Sequence, residues 1–285
     1  MISLAGRKRK DRLFQALCLI ATGIGVLMLV VLLWSIFSQG IPRLSMDFLT
    51  KPASYKPENA GIKVALIGSI WVILLTGAIA VPVGIAAAIY LEEYTRKKNR
   101  FTEFIQLNIS NLAGVPSIVY GLLGLAVFVR TFGMGRSILA AALTMALLIL
   151  PMVIIVSQEA LRAVPKSFRE GSLALGATEW QTIRRQVLPA AGPGIFTGII
   201  LSLSRAIGET APLIIVGAVT YARMVPKSIS DPFTVLPIQI YNWSSEAKEG
   251  FQVAAAGAIV VLMVALLFMN SIAIYLRSRS QKRAG

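Results

Sequence analysis

Long apolar runs, separated by short polar segments, are the main pattern of this chain. The hydrocarbon core of a bilayer is about 30 Å thick, and a helix of about 20 apolar residues crosses it. Six runs have close to this length, which predicts an all-α integral membrane protein with six transmembrane helices. The predicted spans cover residues 17–37, 64–91, 108–129, 137–156, 195–218 and 253–275. Together they predict a single transmembrane domain over residues 1–285 with no separate soluble domain.

The first apolar run follows a cluster of five basic residues between Arg7 and Arg12. A basic segment before an apolar one also begins a secretory signal peptide, whose apolar core is typically about 7–15 residues long. This run has about twenty residues, and no clear small-residue cleavage site follows it. We therefore predict that it is a retained first span.

Basic residues determine the predicted orientation, because Lys and Arg accumulate in the cytoplasmic loops of membrane proteins. With the N-terminus in the cytoplasm, the cytoplasmic segments hold 18 of the 28 Lys and Arg residues, and the outer segments hold nine. The remaining one, Arg205, lies within the fifth predicted span. Six spans with this bias predict that both termini are cytoplasmic.

Composition excludes several classes of function. Hydrophobic residues make up 56% of the chain and charged residues only 14%, whereas soluble domains have about a quarter charged residues. A net charge of +15 would suggest nucleic acid for a soluble protein, but the orientation bias explains it, so no nucleic-acid partner is predicted. The chain has no histidine and one cysteine, Cys18, which excludes histidine-based catalysis, an internal disulfide and a cysteine-rich metal site.

The most informative polar segment is the predicted cytoplasmic loop 158–189. Ser167, followed three residues later by Glu170, fits a capping box at the start of a helix. Thr178, followed by Gln181, fits a second capping box. The loop is therefore predicted to contain two short helices.

Two residues define where these helices stop. Gly176 favours the left-handed conformation that ends a helix, and Pro189 is predicted to end the second helix. A helical pair this short is marginal in water, so its apolar side chains need a cover. Two interpretations are open from the residues alone: an amphipathic hairpin on the membrane surface, or a docking element for a cytoplasmic partner.

This loop resembles the EAA loop of ATP-binding-cassette (ABC) importer permeases. The shared pattern is a Glu, a Gly six residues later and a Leu-Pro pair that begins twelve residues after the Gly. The chain departs from the family at Gly171 and Ser172, where the family favours two alanines. In that family the loop forms coupling helices that sit in a groove of the ATPase subunit. The resemblance therefore implies a set of residues that contact an ATPase: Glu170, Gly171, Ser172, Leu173, Ala174, Gly176, Leu188 and Pro189.

The fifth predicted span carries two charges, Arg205 and Glu209, which are four residues apart. Arg205 is predicted near the middle of the membrane, where an arginine costs at least about 2.5–3.5 kcal/mol. On one helix the two side chains share a face, with the hydroxyls of Ser202 and Thr210 close to it. A guanidinium binds oxyanions bidentately and keeps its charge. These four residues therefore form a candidate anion pathway, and a purely structural ion pair is the alternative.

Several polar residues near the spans leave their roles open. Glu209 is expected to tune Arg205, to accept a proton of the anion or to pair with an arginine of another subunit. Pro116 and Ser117 predict a helix start or a kink, with a contact to the anion as the alternative. Glu92 and Glu93, which basic residues follow, predict a solvated helix end.

A second resemblance is carried by residues 204–212, Ser-Arg-Ala-Ile-Gly-Glu-Thr-Ala-Pro, which are similar to the signature of phosphate-specific (Pst) importer permeases. The resemblance covers about residues 60–275, taken as the core of the domain, and is closest to the A-type permease subunit. It implies the type I ABC importer permease fold, also called MetI-like. Further similar stretches are residues 84–94, 112–121, 159–165 and 188–191.

The Pst resemblance implies an assembly in the cytoplasmic (inner) membrane of a prokaryote. Such an importer has a second, C-type permease, two ATPase subunits and an external phosphate-binding protein that hands phosphate over. The implied function is phosphate import into the cytoplasm, with Arg205 meeting the anion in transit. ATP and Mg are expected in the ATPase and no cofactor in this chain, which lacks a G-x-x-x-x-G-K-[ST] phosphate loop. A permease for phosphonate, sulfate or molybdate is the alternative.

Two other functions fit the residues less well. A membrane enzyme is disfavoured because the chain has no histidine and no cluster of metal ligands. An ion channel is disfavoured because a pore needs no docking element like the loop 158–189. Dependence on an ATPase partner is the property that distinguishes a permease from both.

Overall fold

The computed structural model describes residues 4–95, 100–218 and 224–284, and these residues form helices and connecting turns without a β-strand. Two 3-10 helices, Ile41–Arg43 and Pro57–Asn59, lie between the first long helices. Three π-helical turns, Tyr90–Tyr94, Leu125–Thr131 and Ile183–Val187, extend neighbouring α-helices. The α-helices are α1 (Leu4–Gly40), α2 (Met46–Thr50), α3 (Lys63–Ile89), α4 (Arg100–Ala113), α5 (Ser117–Gly124), α6 (Ile138–Arg162), α7 (Lys166–Ala174), α8 (Glu179–Thr182), α9 (Leu188–Gly208), α10 (Ala211–Val216), α11 (Leu236–Ser244) and α12 (Glu249–Ala284).

Long apolar helices account for most of the predicted spans. A further candidate span is the pair α4 and α5, which is bent by 101°. The first, second, fourth and sixth predicted spans are thereby confirmed as helices, whereas the third and fifth differ in shape. The five helical stretches that are long and apolar enough to cross a membrane are Lys10–Arg43, Lys63–Tyr94, Ile138–Arg162, Glu179–Gly208 and Glu249–Tyr275.

The third predicted span is broken rather than continuous. Pro116, the N-cap of α5, causes the break, because proline lacks an amide donor and disfavours the helical conformation in the residue before it. The hydroxyl of Tyr120 donates to the carbonyl of Leu112 across the break at 2.8 Å. The prediction that Pro116 starts or kinks a helix is confirmed, and the third predicted span, residues 108–129, is a bent pair of helices and not one continuous helix.

The α6 helix is the centre of the bundle. It packs against α3, α4, α5 and α9. In its most apolar stretch 61% of the residues are buried, whereas none are buried in the corresponding stretch of α1. Glycines permit two of these contacts. A Cβ on Gly84 of α3 would lie 2.6 Å from Cγ1 of Val153, and a Cβ on Gly198 of α9 would lie 2.6 Å from Cγ2 of Val156. Both helices therefore approach α6 at positions where a side chain would collide.

A second apolar cluster joins the segment between α1 and α3 to α11 and α12. The rings of Phe48 and Phe251 have their centroids 6.2 and 6.3 Å from that of Trp243. The guanidinium of Arg43 lies 5.4 Å over the ring of Phe48 and donates to the carbonyl of Glu58 at 2.9 Å. This segment is therefore a packed cap over one end of the bundle.

Candidate functional site

The predicted cytoplasmic loop is shorter than residues 158–189. The helical stretch Glu179–Gly208 runs from α8 through the π turn Ile183–Val187 into α9 without interruption. Pro189 lies in the first turn of α9, so the prediction that it ends the second loop helix is wrong. The wider π turn before it accommodates a residue that cannot donate an amide hydrogen bond. The segment between the two long helices is therefore 163–178.

Only one of the two predicted capping boxes is formed. Pro165 is the N-cap of α7 and makes no side-chain hydrogen bond. Because the helix has already begun there, Ser167 lies inside the first turn, and the predicted box of Ser167 and Glu170 is wrong. The second box is confirmed: the hydroxyl of Thr178 accepts from the amide of Gln181 at 3.3 Å, and the side chain of Gln181 accepts from the amide of Thr178 at 2.9 Å.

Gly176 ends α7 as predicted, with a left-handed φ of 84°. Its amide donates to the carbonyl of Leu173 at 2.9 Å, and the amide of Ala177 donates to the carbonyl of Ser172 at 3.2 Å. These are the two hydrogen bonds of a Schellman motif. The hydroxyl of Ser172 also lies 2.9 Å from the hydroxyl of Thr182, which links α7 to α8.

The loop and the adjoining α8 present an apolar surface that the described residues do not cover. Leu175 is 89% exposed, Trp180 51% and Phe168 47%. Phe168 and Leu175 line an open groove together with Gly171 and Gln181. Large apolar side chains at this exposure are typical of a surface that binds a partner or lipid.

The predicted ATPase-contact residues lie in two places. Leu188 and Pro189 are in the first turn of α9, outside the loop. The other six lie in the loop, where Ser172 is half-buried. The exposed members of the set in the loop are Glu170, Gly171, Leu173, Ala174 and Gly176.

One arginine of α7 ties this helix to the end of α3. The guanidinium of Arg169 donates to both carboxylate oxygens of Glu93, at 2.6 and 3.0 Å. It also donates to the carbonyls of Leu161 and Val164, each at 2.9 Å. The hydrogen bond to Glu93 is the main cause that raises the pKa of Arg169 above its ordinary value. The guanidinium therefore contacts three parts of the chain at once.

Glu92 is paired in the same way with Arg162 at the end of α6. The Nε atom of Arg162 donates to Oε2 of Glu92 at 2.9 Å, and a second contact completes a bidentate pair. The prediction that Glu92 and Glu93 form a solvated helix end is therefore wrong. Their partners, Arg162 and Arg169, follow 70 and 76 residues later, so no local sequence pattern indicates the pairing.

Arg205 and Glu209 lie close together, but not on one continuous helix. α9 ends at Gly208, and Glu209 is its C-cap in an extended conformation. The Nε atom of Arg205 lies 3.8 Å from Oε1 of Glu209, beyond hydrogen-bond distance. The Arg205 side chain is 57% exposed and that of Glu209 20%. The prediction of a continuous span over residues 195–218, with Arg205 near its middle, is wrong, because Arg205 lies in the last turn of α9.

The two predicted hydroxyl partners lie in different surroundings. Ser202 is fully buried and donates to the carbonyl of Gly198 in its own helix at 2.9 Å. Thr210 is the N-cap of α10, and its side chain makes no capping hydrogen bond. Of the four predicted pathway residues, Arg205 and Glu209 are the two that form an ion pair.

Arg205 lines a cavity of about 270 Å³ at the break between α4 and α5. The cavity is also lined by Ser117, Tyr120, Met152 and Glu159. It therefore presents a permanent positive charge, a serine hydroxyl and a carboxylate to a solute. The sequence indicated Ser117 only as an alternative contact, because its nearness to Arg205 depends on the 101° bend.

Two protein families match the chain. The family described as "Binding-protein-dependent transport system inner membrane component" matches residues 80–282. The family described as a domain of unknown function (DUF3333) matches residues 1–62.

Several curated proteins are similar over most of their length. The probable ABC transporter permease protein YqgI of Bacillus subtilis is 32% identical, over 97% of this chain and 98% of the relative. The phosphate transport system permease protein PstA 1 of Mycobacterium tuberculosis (strain ATCC 25618 / H37Rv) is 34% identical, over 91% and 85%. The phosphate transport system permease protein PstA of Haemophilus influenzae is 33% identical, over 91% of each chain.

Solved structures support the same fold. A chain of the inward-facing MetNI methionine ABC transporter aligns with a TM-score of 0.61 at 18% identity, over 76% of this chain and 96% of its own. A chain of a bacterial ABC transporter involved in import of the acidic polysaccharide alginate aligns with a TM-score of 0.64 at 18% identity, over 95% and 98%. The predicted MetI-like permease fold is thereby confirmed.

This fold and these matches define a multi-pass membrane subunit of an ABC transporter, and the chain belongs to the family of binding-protein-dependent transport system inner membrane components. Within that family its similarity is to PstA-type permeases, at about one-third identity over most of the chain. The resemblance stated from residues 204–212 is therefore confirmed.

Proposed function

We propose that this chain is the A-type permease subunit of an ATP-driven importer that moves inorganic phosphate from the periplasm or outside into the cytoplasm. The names of its relatives, phosphate transport system permease PstA, support the substrate. The observation that carries the proposal is the position of Arg205, a charge in the last turn of a candidate membrane span that lines a cavity between helices. The proposed location is the inner membrane of a prokaryote.

The chemistry of the cavity suits a protonated oxyanion. The fork of the Arg205 guanidinium matches two oxygens of an oxyanion and keeps its charge at every physiological pH. Oε1 of Glu209 lies 3.8 Å from Nε of Arg205. At this distance the carboxylate offsets the positive charge but makes no hydrogen bond that would take the guanidinium donors from the anion. Glu159 accepts a hydrogen bond from the protonated oxygen of phosphate, whereas sulfate and molybdate carry no proton near neutral pH. The cavity therefore favours phosphate or a phosphonate over the other two anions.

The remaining predicted pathway residues have supporting roles in this proposal. Thr210 follows Glu209 at the break between α9 and α10, where its hydroxyl adds a hydrogen-bond donor beside the Arg205–Glu209 pair. Ser202 lies one turn before Arg205, its hydroxyl is satisfied within α9, and its role in this proposal is to pack the helix that carries the arginine.

The proposed assembly supplies what this chain lacks. A second, C-type permease covers the exposed side of Arg205 and completes the path. Two ATPase subunits bind ATP and Mg and hydrolyse the nucleotide, so this chain is a non-catalytic subunit without a cofactor of its own. One of them docks on the apolar loop surface around Leu175. An external phosphate-binding protein delivers the anion to the outer end. The ATPase-contact residues proposed in this chain are Glu170, Gly171, Ser172, Leu173, Ala174, Gly176, Leu188 and Pro189.

Phosphate uptake into phosphate-starved cells tests this function. We compare cells with the wild-type chain, cells without it and cells with Arg205→Ala or Arg205→Lys, at matched membrane abundance and with sulfate as a competitor. Arg130→Ala is the matched control, since it removes another exposed arginine that lies outside the cavity. Uptake is expected to depend on the chain, to resist sulfate and to fall in both Arg205 variants but not in the control.

Three outcomes contradict parts of the proposal. Normal uptake without the chain, in a strain lacking other importers, contradicts phosphate as the substrate. Inhibition of phosphate uptake by sulfate favours the alternative in which the permease carries another oxyanion such as sulfate. Equal uptake by Arg205→Ala and Arg130→Ala assigns Arg205 to a structural pair.

A further inference from the structure

The attachment of α7 to the bundle depends on polar contacts. None of the nine residues of α7 is buried within the chain, so apolar packing does not hold this helix in place. Among the described side-chain hydrogen bonds, Ser172 links α7 to α8, and Arg169 links it to the ends of α3 and α6. Arg169 is therefore the one side chain that connects α7 to α3 in this set of bonds.

The contacts of Arg169 belong to the strong class of hydrogen bonds. Bidentate bonds between a guanidinium and a carboxylate are charge-assisted, and they gain strength when they are shielded from water. The Glu93 side chain is 8% exposed and that of Arg169 is 23% exposed. Exposed pairs contribute little by comparison, and the Arg162 side chain of the neighbouring Arg162–Glu92 pair is 58% exposed.

We propose that Arg169 is a positioning residue that makes α7 and the cytoplasmic ends of α3 and α6 move as one rigid unit. This inference rests on the proposed function, in which an ATPase displaces α7. The displacement passes through Glu93 to α3 and through the carbonyl of Leu161 to α6, two spans that pack tightly together at Gly84 and Val153. Without the guanidinium, α7 swings on residues 163–165 while both spans stay behind.

The Arg162–Glu92 pair provides a matched control. It joins the ends of α6 and α3 by the same type of bidentate bond, and among the described hydrogen bonds neither of its side chains bonds to α7. Loss of Arg162 therefore removes one surface ion pair between the same two spans. Loss of Arg169 also removes a bidentate pair, but this pair joins α7 to the end of α3, so the link to α7 is lost with it.

The rigid unit is tested directly by distance measurement. Cys18 is replaced by Ser, and spin labels are placed through Lys166→Cys on α7 and Val83→Cys on α3, both exposed positions. The complete complex is reconstituted in lipid discs, and the label-to-label distance distribution is recorded with and without ATP. We expect a narrow distribution, unchanged by ATP, in the wild type and in Arg162→Ala. In Arg169→Ala it is expected to broaden or to shift with ATP.

Coupling is measured as phosphate transported per ATP hydrolysed in proteoliposomes. We expect this ratio to fall by about two- to thirtyfold in Arg169→Ala, the range for mutations along a coupled element. The ratio for Arg169→Lys is expected to lie between those of the wild type and Arg169→Ala, because an ammonium cannot reproduce the bidentate bonds of the guanidinium. Glu93→Ala combined with Arg169→Ala is expected to be no worse than Arg169→Ala alone, since the two residues act through one contact.

The outcomes separate this inference from the proposed function. A narrow distribution and a normal ratio in Arg169→Ala overturn the inference, and so does an equal loss in Arg162→Ala. If the wild-type complex moves no phosphate, the proposed substrate is wrong, and the distance measurement still decides whether Arg169 holds α7 to α3.

Discussion

Gln106 of α4 and Gln158 of α6 exchange two hydrogen bonds between their side-chain amides, at 2.9 and 3.2 Å. Gln158 is 2% exposed, so it has no access to bulk water when the pair is broken. Interhelical amide bonds of this kind contribute to packing in membranes, where apolar contacts discriminate poorly between protein and lipid. The pair holds the half of the broken helix that precedes Pro116 against the central helix.

Replacement of one member of this pair is expected to destabilise the protein more than replacement of both. Gln106→Leu leaves the buried amide of Gln158 unsatisfied, which costs about 1–2 kcal/mol. Gln106→Leu with Gln158→Leu removes both polar groups and is expected to recover most of this loss. Thermal unfolding of the purified complex in detergent measures the difference. Gln39→Leu, at an exposed position, is the control, and equal melting temperatures for the single and double variants would contradict the prediction.

A methyl group at Gly124 is expected to separate α5 from α6. A Cβ there would lie 2.0 Å from Oγ1 of Thr144, and Thr144 is fully buried and branched at Cβ. Overpacking of this kind costs about 1–3 kcal/mol, so Gly124→Ala is expected to lower the melting temperature. Gly192→Ala on α9 meets no atom within 4 Å and is expected to stabilise its helix by up to about 1 kcal/mol. Equal melting temperatures for Gly124→Ala and Gly192→Ala would show that α5 and α6 can move apart at little cost in stability.

The turn after α7 is expected to require a residue that tolerates positive φ. Gly176 has a φ of 84° and open space around its Cα, so the cost of a side chain there comes from the backbone alone. Gly176→Ala is expected to weaken binding of the ATPase by about 1–2 kcal/mol, because the left-handed conformation is strained for alanine. Gly176→Asn is expected to weaken ATPase binding less, since asparagine adopts the left-handed conformation more readily. Pull-down of the ATPase at graded salt compares them, and a stronger defect in Gly176→Asn would show that the size of the side chain at the ATPase contact outweighs backbone strain.

The segment before α11 is expected to loosen in acid. The carboxylate of Asp231 accepts from the backbone amides of Lys227 and Ser228, at 2.7 and 2.9 Å. These bonds favour the charged form and lower the pKa of Asp231 below its ordinary value. Their stabilisation is therefore complete above the unfolded pKa and is lost as the pH falls through the lower folded pKa.

Hydrogen exchange of residues 224–235 between pH 6 and pH 2 measures this effect. We expect protection to fall at the acid end in the wild type. Asp231→Asn, which cannot titrate, is expected to show the same protection at every pH once the intrinsic exchange rate is removed. An acid-dependent loss in Asp231→Asn as well would assign the change to another group.

The apolar pattern predicted the long helices because their length and composition depend on residues within each span. It failed where the shape depends on contacts between spans. Pro116 indicated a kink, but the 101° bend that places Ser117 in the same cavity lining as Arg205 depends on the packing of α4 and α5 against α6. The prediction for Pro189 was wrong because the five-residue π turn Ile183–Val187 precedes it, and no local sequence pattern indicates that turn.

The candidate site was predicted in part for the same reason. Arg205 and Glu209 were found because charges in an apolar run are conspicuous, and Gly176 and Thr178 because turn and cap chemistry is local. Arg169 and Glu93 were missed, because a charge near a helix end is ordinary in sequence. Only the folded chain shows that these two side chains are shielded and paired.

The helix that starts at the loop surface is also the helix that ends at the proposed anion cavity. It runs without interruption from Glu179, beside the exposed Trp180, to the turn that carries Arg205. At about 1.5 Å per residue this is a rod of roughly 40 Å, so a tilt of about 5° at one end displaces the other by about 3–4 Å. A shift of that size is comparable to the width of an oxygen atom. The π turn Ile183–Val187 near the loop end interrupts the regular hydrogen-bond ladder of this rod, so a kink there would shorten the lever that reaches the arginine.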